Sequence, residues 1–119
     1  MTSADRWIAL EIRYDTKDMK MITMIVRYAG DSETAFDREH WINVHLPIVR
    51  ECWGPHGLVS AAGFFPTADG AGLIAIATVN FRDEEAMHAA LNSAETGRVM
   101  ADVAHVTAVQ PQRAALQTL

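Results

Sequence analysis

Short runs of alternating hydrophobic and polar positions, interleaved with helical stripes, organise this chain. Residues 21–28 carry Ile22, Thr23, Ile25 and Val26, which favour extended backbone, and predict a strand ending at Ala29-Gly30-Asp31. Asp37 suits a helix N-cap. Beyond it Ile42, Leu46, Val49 and Trp53 recur at helical spacing, so a helix is predicted over 38–53, stopped by Gly54-Pro55. A second strand is expected over 58–65, a turn over 66–72, and a central strand along the mostly apolar run 73–81. Asp83 then caps a second helix over 84–93, with Met87, Ala90 and Leu91 facing inward. A shorter helical piece covers 95–102, and 106–110 reads as the last strand, with Pro111 suited to the end of an edge strand. Ahead of these, Ile8, Leu10, Ile12 and Tyr14 alternate over 7–14. A strand, a short helix over 4–13 and an irregular extension all fit that segment.

The order strand, helix, strand, strand, helix, strand predicts an α+β domain. Its expected form is one antiparallel sheet with both helices on one face, the ferredoxin-like βαββαβ arrangement. Because 73–81 is apolar on both sides, the open face of the sheet is expected to be apolar too. A patch of that size usually has a partner, and two sheets packed face to face would cover it in both copies.

Composition narrows the function classes. A chain of 119 residues, half of them hydrophobic, has room for one compact core. The net charge of −5 and the lack of a basic face argue against nucleic acid as a partner. Cys52 is the single cysteine, so no intrachain disulfide is possible. The opening Met1-Thr-Ser-Ala-Asp-Arg6 lacks the pattern of a signal peptide, and no apolar stretch approaches the roughly 20 residues that span a bilayer. A cytoplasmic location with no membrane partner is the expectation.

The chemistry concentrates in 36–49. Trp41 and His45 are four apart and share one face of an α-helix, while Pro47 removes a backbone N–H from the helix interior and presses on the Asn43 carbonyl. Such a proline costs about 3 kcal/mol in an ordinary helix, so a kink that tips His45 toward a cavity is expected. Two roles fit His45, a pocket base and a satisfied structural histidine. His40 and His45, five apart, stand about 140° round an α-helix and are not expected to share a metal. With no carboxylate–histidine cluster at ligand spacing, no metal site is predicted. Nor is a nucleotide cofactor, since Gly70 and Gly72 lie in a turn without a phosphate-binding motif. His56 fits either the pocket mouth or an exposed loop, and Asp102, beside His105, either orients a substrate or caps a turn. Cys52 reads as buried filler.

The segment Phe36-Asp37, then Trp41-x-x-x-His45-x-Pro47-Ile48-Val49, resembles the EthD family of dimeric α/β-barrel proteins, and Glu95–Val103 is similar to that family's stretch before its final strand. The resemblance covers residues 20–112 and leaves 1–19 as an N-terminal extension and 113–119 as a C-terminal tail. It implies a homodimer through the sheet face, forming a shared barrel, and a pocket in each protomer between sheet and helices. The name-giving family member is an accessory to an ether-degrading oxidation system. Relatives of this architecture include cofactor-free monooxygenases acting on polyketide phenols and muconolactone-type isomerases. The family histidine carries over onto His45 and its aromatic position onto Trp41. The implied function is binding of a small apolar organic molecule, with His45 as general base of a cofactor-free oxidoreductase or isomerase. Trp41, His56 and Asp102 are the expected substrate contacts. A non-catalytic accessory that holds a pathway intermediate, a structural dimerisation domain and a haem-handling protein are the alternatives.

Overall fold

A computed structural model describes residues 20–117; the alternating segment 7–14 lies outside the described residues. The strands are β1 (Ile22–Ala29), β2 (Leu58–Phe64), β3 (Leu73–Phe81) and β4 (Gln112–Gln117). They form one antiparallel sheet in the order β2-β3-β1-β4, the ferredoxin-like order expected. Three helical elements cover one face. The first, α1, starts at Arg38 and ends at Trp53; α2 is Glu84–Leu91 and α3 is Thr96–Val103. The caps read from the sequence are present, since Asp37 accepts from the His40 N–H and Asp83 from the Ala86 N–H.

The interior of α1 departs from a regular helix. Arg38–His40 and Leu46–Trp53 are α-helical, but Trp41–His45 between them is a π turn, closed by a Leu46 N–H bond to the Trp41 carbonyl. The wide turn sits just before Pro47, which has no N–H to offer and whose ring would collide with a regular preceding turn. One extra residue in the turn shifts the stripe. Leu46, Val49 and Trp53 are buried as predicted, but Ile42 is 46% exposed and Trp41 takes the inward place at 1%.

Side chains of β1 and β3 alternate between the two faces. Ile22, Met24, Val26 and Tyr28 point to the helices with Ala75, Ala77, Val79 and Phe81, their register partners. Around Trp41 the rings of Tyr28, Phe36 and Phe65 pack at centroid distances of 6.0, 5.6 and 5.3 Å. Gly63 on β2 lets this cluster close, because a Cβ there would stand 2.6 Å from the Trp41 ring. The open face is more mixed than expected. Ile25, Ile76, Phe64 and Leu116 lie on it, but so does a polar row in which Thr23 donates to Asn80 and Asn80 to Ser60.

The last strand is a correction. Residues 106–110 form no strand; Val106 and Thr107 are buried because this loop docks on the approach to α1. There Val106 O accepts from the Asp37 N–H and the Thr107 hydroxyl donates to Ala35 O. β4 starts after Pro111 and, apart from Gln112, occupies residues read as a tail. Its segment Gln112–Gln117 is exposed throughout and has no β-branched residue, which left no strand signal in the sequence.

Candidate functional site

Between the helix layer and the inner faces of β1 and β3 lies a cavity of about 190 Å³. Its wall is mainly apolar, including Met24, Val26, Val49, Val79 and Val99; the polar groups on it come from Tyr28, Trp41, His45, Gln110 and Arg113. The π turn sets the geometry. Trp41 begins it and His45 ends it, and both are buried and border the cavity.

The His45 ring is held from behind by Asp102 on α3. Nδ1 lies 2.9 Å from Asp102 Oδ2, and His40 Nε2 lies 3.0 Å from Asp102 Oδ1. An ionised Asp102 can only accept, so Nδ1 of His45 carries a proton and Nε2 keeps its lone pair. Nε2 has no hydrogen-bond partner among the described residues, and the ring it belongs to borders the cavity. Burial lowers the His45 pKa below its ordinary value of 6.5, and the hydrogen bond and charge of Asp102 offset this only in part. The ring is therefore neutral at pH 7. Burial on its own would raise the Asp102 carboxyl, but hydrogen bonds from the two histidines and their charge together hold it below its usual range. Burial also raises Tyr28, so its hydroxyl stays protonated. The Trp41 indole N–H is turned toward that hydroxyl without reaching hydrogen-bond geometry and is left without an acceptor among the described residues.

Of the residues singled out in the sequence, His45 and Trp41 meet at the cavity. Asp102 stands one layer behind and positions the imidazole. His56 is elsewhere, on the turn Gly54–His56, 3.6 Å from Glu95 and not on the cavity wall. Sequence reasoning separated His40 from His45 because it assumed a regular α-helix. An i→i+5 turn brings residues five apart onto one side, and both histidines reach the same carboxylate. One clue was legible: an aspartate in the last turn of a helix opposes the helix dipole and needs a reason to be there. Tyr28 and Arg113 were missed as site residues because neither stands in a motif. The sheet register alone carries them to the helix side. Cys52 is buried, as expected, and no group of three or more His, Cys, Asp or Glu side chains among the described residues is arranged to hold a metal ion.

Asp102→Asn is expected to lower the plateau of any His45-dependent rate by about 10²–10⁴-fold, since the amide no longer selects one tautomer. Its charge raises the imidazole, so its loss moves the acid limb of the rate profile to lower pH. A pH–rate series on the variant checks both.

The ferredoxin-like fold agrees with the comparisons with known proteins. The model of the EthD domain matches residues 30–109, and the chain belongs to that family. An EthD-like protein from Ralstonia eutropha has 21% identity over 82% of this chain and 91% of its own, with a TM-score of 0.70. SnoaB, a cofactor-independent oxygenase from Streptomyces nogalater, has 10% identity over 84% and 94%, with a TM-score of 0.54. A dimeric ferredoxin-like protein from Thermobifida fusca has 16% identity over 83% and 90%, with a TM-score of 0.52. At these identities the likeness is one of fold. No curated protein matches the sequence significantly. No helix among the described residues is long and apolar enough to cross a membrane.

Proposed function

We propose that this protein binds a small, largely apolar organic molecule in the cavity and removes a proton from it with His45. The reaction class is then cofactor-free oxidation or isomerisation, since both begin by deprotonating a weak carbon or phenol acid. The observation that carries the reading is the 2.9 Å contact from Asp102 to Nδ1 behind a neutral ring that borders the cavity. It gives a base fixed in tautomer and orientation beside a mainly apolar wall. The fold is shared with a cofactor-independent oxygenase, which is consistent with the same class here. An open cavity beside His45 also speaks against a purely structural domain, in which side chains would fill that space.

The assembly we propose is a homodimer through the open face of the sheet. Phe64 and Leu116 are 54% and 49% exposed there, and a neighbour of the same fold is dimeric.

The reading is tested by incubating the protein with cyclic ketones and phenols in heavy water, under air and under nitrogen. Deuterium uptake or oxidation that depends on His45 is expected. Exchange no faster than in buffer across the panel, or exchange kept in full by His45→Gln, would overturn it.

A further inference from the structure

The cavity has a second polar feature that proton abstraction does not use. Arg113 lies opposite Val26 in the β1–β4 register, so it faces the helix side of the sheet, and it borders the cavity. Every other arginine among the described residues is engaged. Arg27 bonds Gln112, Arg38 covers the Phe65 ring, Arg50 donates to Ala61 O, and Arg82 and Arg98 pair with Asp83 and Glu51. Arg113 makes no ion pair or side-chain hydrogen bond among the described residues, in a chain whose net charge is −5. At the opposite extreme of exposure, Tyr28 and Trp41 are each 1% exposed, and the Trp41 indole N–H has no acceptor among the described residues. A buried donor left in this state is costly unless a guest supplies the acceptor.

Size limits the guest. An apolar cavity of about 150 Å³ takes up benzene, so about 190 Å³ suits one ring with a few added atoms better than a fused tricyclic skeleton.

Resting on the reading of the cavity as a proton-abstraction site, we propose that its guest is a one-ring organic anion. Its carboxylate meets the Arg113 guanidinium at the mouth, and a carbonyl or phenolic oxygen at its far end accepts from the Trp41 indole N–H, next to Tyr28. The planar fork of a guanidinium matches a carboxylate and not an amide. The ring then lies along the apolar wall beside His45 Nε2.

The test is calorimetric titration with 4-hydroxybenzoate, 4-hydroxybenzamide and anthracene-2-carboxylate. The wild-type protein is expected to bind the acid at least about tenfold more tightly than the amide. In Arg113→Gln that ratio falls toward one through weaker binding of the acid alone, and the tricyclic acid does not compete. Equal affinity for acid and amide, a preference that survives Arg113→Gln, competition by the tricyclic acid, or no binding of either one-ring probe would each overturn the proposal. His45→Gln separates the two readings. Acid preference without His45-dependent exchange sinks the base and keeps the anion site, and exchange without acid preference does the reverse.

Discussion

His45→Gln is expected to reduce turnover by about 10²–10⁴-fold, the usual contribution of a positioned general base. Glutamine keeps a donor for Asp102 and much of the imidazole volume, so the fold should survive and the loss be chemical. The pH dependence provides the sharper check. The neutral ring is the active form, and burial places its folded pKa below 6.5. The wild-type rate should therefore be flat at neutral pH and fall only as pH drops through that lower value. The same depression links to stability. Between the folded value and 6.5 the unfolded chain binds the proton and the folded one does not, so stability declines as pH falls through this window. A rate that climbs on acidification below pH 6 would mean that the charged imidazole is the working form, and the base assignment would fall.

Trp41→Ala is expected to remove about 3–5 kcal/mol of stability, as large-to-small changes in aromatic cores do. A domain of this size has about 5–15 kcal/mol in total, so the variant should unfold at far lower denaturant, if it folds at all. The indole is enclosed by Tyr28, Phe36 and Phe65 and sits against Gly63, which has no side chain of its own to fill the hole. Trp41→Phe keeps most of the ring packing and should lose markedly less. Denaturant midpoints for the two variants check this. A loss under about 1 kcal/mol for alanine would show that the neighbours close over the gap.

The two predictions rest on features that were unequally legible in the sequence. Alternation and caps located β1 to β3, α1, α2 and α3 to within two residues, because those signals are local. β4 carries no such signal, and its place is set by pairing with β1 rather than by its own residue types. Trp41 and His45 were visible as a spaced pair beside a proline. Their convergence with His40 on Asp102 was not, because it depends on a turn that breaks the period on which helical reasoning relies. Asp102 lies 57 residues from His45 along the chain, a distance that only the packing of α3 on α1 closes. For His56 the sequence left pocket mouth and loop open, and the residue stands on the turn after α1 beside Glu95, off the cavity wall.

The π turn behaves as though a single residue had been inserted into an otherwise regular helix. Its removal would let α1 wind regularly and return the sheet-facing stripe to an ordinary period, leaving the scaffold outside the turn largely undisturbed. The two histidines would then diverge by more than a quarter of a turn, and only one could keep its carboxylate. One codon thus separates a chain that can aim an imidazole into its cavity from one that merely folds. On this scaffold, chemistry can be gained or silenced without rebuilding the domain.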